Sequence, residues 1–356
     1  MKIAIIFNHL QYQDGVCKAA IGMANALAER NESITLIPLF RYDETVLNSV
    51  SPKVSVKPVF RCFFRGFPRI VELIPKKILY NKLIGNDYDI VIGYCMKLPI
   101  KIVAESDDNN IQKLAWMHGY DTGLTLFKEY KKIGHVICVS QYAADKLKSE
   151  SRQAFQVSYA YNLVNDAEII EQGKAAISIP RKKYQFVTVG RITPEKGYVR
   201  LVEVIGRLSR FRKDFGVWII GDGPERAAVE KKIKDLDLSD CVQMLGVQKN
   251  PHAYTSKCDL FICSSFSEGY STACTEAAIL GTPIITTSVP GGKEIIETAE
   301  CGMLVGMEDN DLLEGLEVIL ENPALLEEWK KTLSVTKERF SYKSRANRIY
   351  SLLGIK

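Results

Sequence analysis

Short apolar runs rich in Ile, Val and Phe return along the whole chain, each bounded by small polar or turn residues and followed by sequence with helical spacing. Lys2 to Phe7, Ser33 to Pro38, Ile90 to Gly93, Lys113 to Met117 and His135 to Ser140 form one series. A second series restarts at Tyr184 to Val189 and continues through Val217 to Ile220, Val242 to Leu245, Leu260 to Cys263 and Pro283 to Thr286. Strands that alternate with helices and are apolar on both faces are satisfied in parallel sheets covered by helices. At 356 residues the chain is too long for one comfortable core, so two domains are expected. The fold class is therefore α/β, with two doubly wound, Rossmann-like domains and a ligand site in a cleft between them. The first domain is expected to span residues 1–176, with the passage out of it around Tyr159 to Ala176, and the second 177–339. The tail 340–356 regains helical periodicity after a break and is expected to pack back on the first domain.

Composition narrows the class. The nine cysteines are odd in number, show no CxxC spacing and place Cys138 and Cys263 inside apolar strands, which suits reduced, buried thiols of a cytosolic protein. Met1 to Phe7 is a short run before Asn8 and His9, closer to a first strand than to a signal peptide. No apolar stretch approaches the ~18 residues of a membrane span. Net charge is +5, yet residues 53–82 alone carry eight basic side chains against Glu72, so the remainder is acidic on balance. With Phe60, Phe63, Phe64, Phe67 and Tyr80 interleaved, this segment suits an anionic membrane surface. Nucleic acid also fits such a mixture, as does a solvated face whose aromatics pack inward.

Phosphate chemistry is written most densely into the second half. Leu260 to Cys263 reads as a buried strand, Gly269 turns the chain, Ser271 or Thr272 caps, and Ala273 to Leu280 is helical until Gly281. The amides near 270 to 272 then form a helix N-terminus, where N–H groups and the macrodipole favour an anion. Glu268 sits in the loop before that end and Glu276 lies about 7.5 Å up the helix, placed to accept hydrogen bonds from sugar or ribose hydroxyls. Taken alone, the segment is equally an ordinary turn and Ala-rich helix with an exposed Glu276.

Gly190-Arg191-Ile192-Thr193-Pro194-Glu195-Lys196-Gly197 also lies between a strand and a helix. The Arg191 fork and the compact Lys196 charge suit a diphosphate without a metal, or are surface cations in a loop. Gly221-Asp222-Gly223-Pro224-Glu225 lacks the third glycine of a dinucleotide fingerprint and reads as a tight strand-to-helix turn. His118 follows an apolar strand, where it either hydrogen-bonds a reacting sugar or phosphate or serves as a buried structural histidine. Asp87-Tyr88-Asp89 matches the Asp-x-Asp of metal-dependent sugar transferases but immediately precedes a strand, so no metal site is assigned. His9, His135 and His252 form no ligand-spaced cluster.

With these motifs in this order, the chain resembles glycosyltransferase family 4, retaining enzymes of the GT-B fold. Gly190-Arg191 with Lys196, Gly221 to Pro224, Ser265 through Glu276, Gly281-Thr282-Pro283 and Pro290-Gly291-Gly292-Lys293-Glu294 carry the resemblance. It implies that Arg191 and Lys196 bind the donor diphosphate, that Glu276 binds the ribose hydroxyls and that Glu268 contacts the donor sugar. It further implies that the amides of Gly269, Tyr270, Ser271 and Thr272 meet sugar and phosphate, that Val247 flanks the base, that Gly15 lets the first domain approach the phosphate and that His118 lies near the sugar. The single Gly15 departs from the paired glycines of many members, and Cys274 and Thr275 replace more usual aliphatic residues.

The activity implied is metal-independent transfer, with retained anomeric configuration, of a hexosyl or N-acetylhexosaminyl group from a nucleoside-diphosphate sugar to a glycan or lipid-linked acceptor in cell-surface polysaccharide synthesis. No cofactor and no nucleic-acid partner are implied. The segments Gly246 to Tyr254 and Pro290 to Glu294 look like those of members that use UDP-sugars. The localisation expected is cytoplasmic, at the inner face of the membrane if residues 53–82 bind it. A sugar-nucleotide epimerase or phosphorylase on the same fold, or a silent sugar-nucleotide-binding partner, is the alternative.

Overall fold

The computed structural model describes residues 1–11, 15–40, 43–60, 64, 66–85, 87–95, 97–118 and 124–355. They form two compact units, residues 1–163 with 345–356 and residues 164–344. These divisions differ from the expected 176/177 and 339/340. The helix Asp166–Gly173 packs on the second unit, where Ser256 Oγ donates to Gly173 O at 2.6 Å and Asn250 Nδ2 donates to Gln172 O at 2.9 Å. The helix Tyr342–Leu353 joins the first unit over most of its length, its Tyr350 hydroxyl donating to Ala26 O at 3.0 Å.

The first unit holds β1 (Lys2–Phe7), β2 (Ser33–Pro38), β3 (Val54–Val56), β4 (Ile90–Tyr94), β5 (Gln112–Met117), β6 (His135–Cys138) and β7 (Gln156–Tyr159). Their order is β3-β2-β1-β4-β5-β6-β7, with every pairing parallel. The second holds β8 (Tyr184–Val189), β9 (Phe215–Ile220), β10 (Val242–Gly246), β11 (Leu260–Cys263), β12 (Ile284–Thr287) and β13 (Gly302–Val305), again all parallel, in the order β10-β9-β8-β11-β12-β13. Both sheets are doubly wound, and the order reverses between β1 and β4 and between β8 and β11. Those reversals are where loops diverge to opposite faces and leave a crevice at the carboxyl ends of the strands.

The central strands match their apolar runs because they are buried on both faces, as β9 and β11 are along their full lengths. Three strands go beyond those runs: β3, β7 and β13, each at a sheet edge and only partly buried. In the basic segment, Phe60 and Phe67 pack edge to face at 5.3 Å against the first core. Phe64, Ile70, Leu73 and Ile78 are exposed. Phe63, Arg61 and Arg65 lie outside the described residues. Among the described residues no helix is long and apolar enough to cross a membrane.

Candidate functional site

The loops after β8 and β11 flank the second sheet's reversal, and the chain knits them together. Phe266 N donates to Glu195 O at 2.8 Å, and Ser264 Oγ donates to Lys196 O at 3.0 Å. Gly197 has φ +67°, and a Cβ there would meet Ser264 O at 2.4 Å, so only glycine allows the approach. The loop after β9 supports the β8 loop from beneath: Ile192 N donates to Asp222 O at 2.9 Å and Glu225 N to Ile192 O at 3.1 Å. A Cβ on Gly221, at φ +143°, would overlap Gly190 O at 1.9 Å. Gly221 to Glu225 is thus the tight turn into the helix Arg226–Asp235.

On this platform the charged residues meet. Lys196 Nζ pairs directly with Glu268 Oε1, which also accepts from Ser265 Oγ at 3.2 Å. Both partners are largely sheltered, Lys196 at 26% and Glu268 at 12% exposure, so the pair is less screened than an open surface bridge. Arg191 is exposed and forms no ion pair among the described residues. Glu195, two positions before Gly197, is held below the usual carboxylate range by the Thr193 hydroxyl first and by nearby backbone and cations after it.

Ser271 caps the helix Thr272–Ile279, its Oγ accepting from Cys274 N at 3.2 Å. The amides of Thr272 and Ala273 precede the first intrahelical bonds and point out of that end. The unusual Cys274 and Thr275 are fully buried, and Thr275 Oγ1 bonds back to Ser271 O at 3.0 Å, so they pack the helix and leave its N-terminus unobstructed. The β12 side closes the loop. Thr287 Oγ1 donates to Ser265 O at 2.6 Å, and a Cβ on Gly291 would stand 2.6 Å from Tyr270 Cα. Gly291 is in the first turn of the helix Pro290–Ala299, whose backbone therefore rests against Gly269-Tyr270.

Glu276 is one helical turn above the cap, 27% exposed, with His252 Nε2 3.3 Å away. Val247 follows β10 and stands 67% exposed at the edge of the sheet. The structure brings the expected site residues Arg191, Lys196, Val247, Glu268, Gly269, Tyr270, Ser271, Thr272 and Glu276 to the loops and helix that follow β8, β10 and β11 of one sheet. Three further residues join them: Ser265 from the same loop as Glu268, and Gly291 and His252 from other elements. Ser265 and Gly291 stand in the motifs above, whereas nothing in the local sequence marked His252.

In the first unit, Gly15 opens the helix Gly15–Glu29 after β1, and a Cβ there would meet nothing within 4 Å. Internal packing does not require the glycine. Asp14, beside it, lies outside the described residues, as do Gly119 and Tyr120. His118 follows β5, its ring 4.6 Å from that of Tyr94. The residue as a whole is part-buried, but Nε2 is sealed from solvent and has no hydrogen-bond partner among the described residues. Burial lowers its pKa to about 3, so the imidazole is neutral at ordinary pH. The ring nitrogen's enclosure, more than the exposure of the whole residue, governs that titration. Asp89 is committed elsewhere: Oδ2 accepts from Lys2 N at 2.7 Å at the amino end of the sheet, opposite the carboxyl-end loops. Among the described residues no three His, Cys, Asp or Glu side chains come together as a metal group.

Residues 170–333 match the family model described as Glycosyl transferases group 1. An uncharacterized glycosyltransferase of Haemophilus influenzae is 23% identical over 339 residues, 91% of this chain and 92% of that protein. The N-acetylgalactosamine-N,N'-diacetylbacillosaminyl-diphospho-undecaprenol 4-alpha-N-acetylgalactosaminyltransferase of Campylobacter jejuni is 30% identical over 182 residues, 51% of this chain and 48% of that enzyme. The alignment thus spans about half the length of this second relative. Among solved structures, Anabaena HepE in complex with UDP superimposes with a TM-score of 0.77 over 99% of this chain and 100% of that one, at 16% identity. The chain has the GT-B fold, and it is a glycosyltransferase.

Proposed function

We propose that the protein is a retaining glycosyltransferase of family 4 that transfers a hexosyl or N-acetylhexosaminyl group from a UDP-sugar, without a metal, to a glycan or lipid-linked acceptor of cell-surface polysaccharide synthesis. The observation that carries this reading is the Lys196–Glu268–Ser265 knot at the β8/β11 reversal, beside the exposed Arg191 and the capped N-terminus of the helix Thr272–Ile279. The Campylobacter relative's name describes transfer onto a diphospho-undecaprenol-linked sugar, and HepE holds UDP, which supports the donor and acceptor classes.

In this reading the diphosphate lies across the helix N-terminus, within reach of Arg191 and Lys196. Lys196 exchanges its carboxylate partner for phosphate oxygens. Glu268, released from the cation but still held by Ser265, accepts from hydroxyls of the donor sugar. As the glycosidic bond to phosphate breaks, negative charge accumulates on the departing diphosphate, and the two cations and the helix amides stabilise it more than they stabilise the ground state. The acceptor hydroxyl attacks from the same face and the leaving phosphate takes its proton. Glu276 holds the ribose diol and Val247 lies against the base. In the first unit, Gly15 and His118 stand after β1 and β5, and the His118 imidazole is neutral.

Residues 64–78 supply a surface for an anionic bilayer. Leu73 is 83% exposed, with Phe64, Ile70 and Ile78 near it in sequence, and Arg69, Lys76 and Lys77 interleave with them. Lys77 pairs with Asp107 and Lys76 with backbone carbonyls, so part of the positive charge is engaged locally.

A thermal-shift series with UDP, GDP and ADP and their glucose conjugates tests the donor assignment. At about one hundred times the dissociation constant, a ligand of the folded state adds roughly 2.7 kcal/mol of stability. Stabilisation by uridine compounds alone is expected, and equal shifts by all three bases would sink it. Transfer that survives EDTA is expected, whereas activity restored only by Mg²⁺ or Mn²⁺ would overturn metal independence.

A further inference from the structure

Glu276 is tied to a helix outside its own strand-helix unit. His252, on the helix Pro251–Thr255, places Nε2 3.3 Å from Glu276 Oε2. This is ion-pair distance without hydrogen-bond geometry, and Nε2 is buried with no hydrogen-bond partner among the described residues. On the other side of the ring, Nδ1 lies 2.7 Å from Gln172 Oε1. Gln172 Nε2 in turn donates to Glu168 Oε1 at 2.8 Å. An ionised carboxylate only accepts, so the Gln172 amide must turn its nitrogen to Glu168 and its oxygen to His252. Nδ1 is then the donor to Gln172, and Nε2 faces a second acceptor, the Glu276 carboxylate. The ring is fixed in place because its helix is pinned to Asp166–Gly173 through Asn250 and Ser256.

We propose that His252 is the positioning residue that holds the Glu276 carboxylate in the rotamer that receives the donor ribose. The inference rests on the reading of Glu276 as the ribose ligand. A carboxylate already immobilised loses less freedom when a ligand arrives. His252 acts through Glu276 and touches no reacting atom.

The experiment titrates the full chain with UDP, or with whichever of GDP and ADP the thermal series selects, and with its 2′,3′-dideoxy form, alongside donor KM and kcat. Glu276→Ala is expected to lose roughly tenfold of the preference for the hydroxylated ribose, because a site built to bind hydroxyls discriminates through them. His252→Ala is expected to lose about threefold of that preference and to raise donor KM by a similar factor while kcat stays within about twofold. His252→Gln, which still offers an N–H to Glu276, keeps most of the preference. In a Glu276→Ala background, His252→Ala adds nothing further. His252→Phe, which fills the space without the N–H groups, replaces the alanine variant should that one not fold. Intact preference in folded His252→Ala, with loss in Glu276→Ala, overturns the His252 assignment and leaves Glu276 standing. Equal loss in the Ala and Gln variants, with kcat falling alongside, marks a packing role and overturns it too. Unchanged preference in Glu276→Ala removes the ribose reading and the inference with it.

Discussion

The two sheets share a topology but prepare their carboxyl ends differently. In the second unit the charged side chains are already engaged, Lys196 with Glu268, Glu268 with Ser265 and Glu276 with His252. In the first, His118 is a neutral ring with a sealed, unpartnered nitrogen against Tyr94. A close partner holds each of these side chains in place before a ligand arrives, whereas burial removes charge from the His118 ring. The second unit thus presents held charges at its carboxyl end, and the first an uncharged ring.

The largest expected effect breaks the engaged half. Lys196→Ala removes a cation from the proposed diphosphate site and leaves Glu268, among the described residues, with the Ser265 hydroxyl as its side-chain partner. Loss of one preorganised stabilising group typically costs about 10²–10³-fold in turnover. Arg191→Ala is expected to fall in the same range, although it breaks no ion pair. Steady-state transfer at subsaturating donor, on protein shown to be folded, measures both. Turnover near wild type in either would mean that this loop does not carry the phosphate charge.

The comparison was legible in the sequence to an uneven degree. Central strands such as β1, β8 and β11 declared themselves because burial on both faces demands continuous apolar residues. The missed strands β3, β7 and β13 are all edges, where a short, half-exposed segment needs no such run. The same asymmetry holds at the site. Glu268 and Glu276 stand in motifs, but what fixes them comes from elsewhere in the chain: Lys196 and Glu268 are 72 positions apart, and His252, which faces Glu276, is itself held by Gln172, 80 positions away. No local pattern encodes a contact that only the strand order creates. His118 was legible as a residue but not as a charge state, since burial of its ring depends on tertiary packing.

That charge state gives the second prediction, which sharpens the contrast. The folded value of His118 is lowered to about 3 from the ordinary imidazole value of 6.5, so as pH falls the unfolded chain takes up this proton first. The stability associated with neutral His118 is complete above about pH 6.5 and is lost as pH falls toward about 3. Chemical denaturation across this window should show His118→Gln less acid-sensitive than wild type. Transfer by the folded enzyme should show no inflection from His118 between pH 5 and 8, the span in which an unperturbed imidazole titrates. A wild-type inflection that vanishes in His118→Gln would show a charged ring and erase the difference between the halves.

The smallest effect tests the helix end that the second unit offers in place of side-chain charge. Ser271 is 4% exposed, and its hydroxyl satisfies Cys274 N, an amide that would otherwise have no partner in the first turn. Ser271→Ala should therefore cost about 1 kcal/mol of stability, as N-cap deletions do. Ser271→Asp should recover the cap but set a carboxylate where the diphosphate is proposed to lie. If the end binds an anion, the Asp variant is the more stable of the two and yet the weaker binder of nucleoside diphosphate. Should Asp bind as well as wild type, the helix N-terminus contributes only structure, and the second unit's case for phosphate falls back on Arg191 and Lys196 alone.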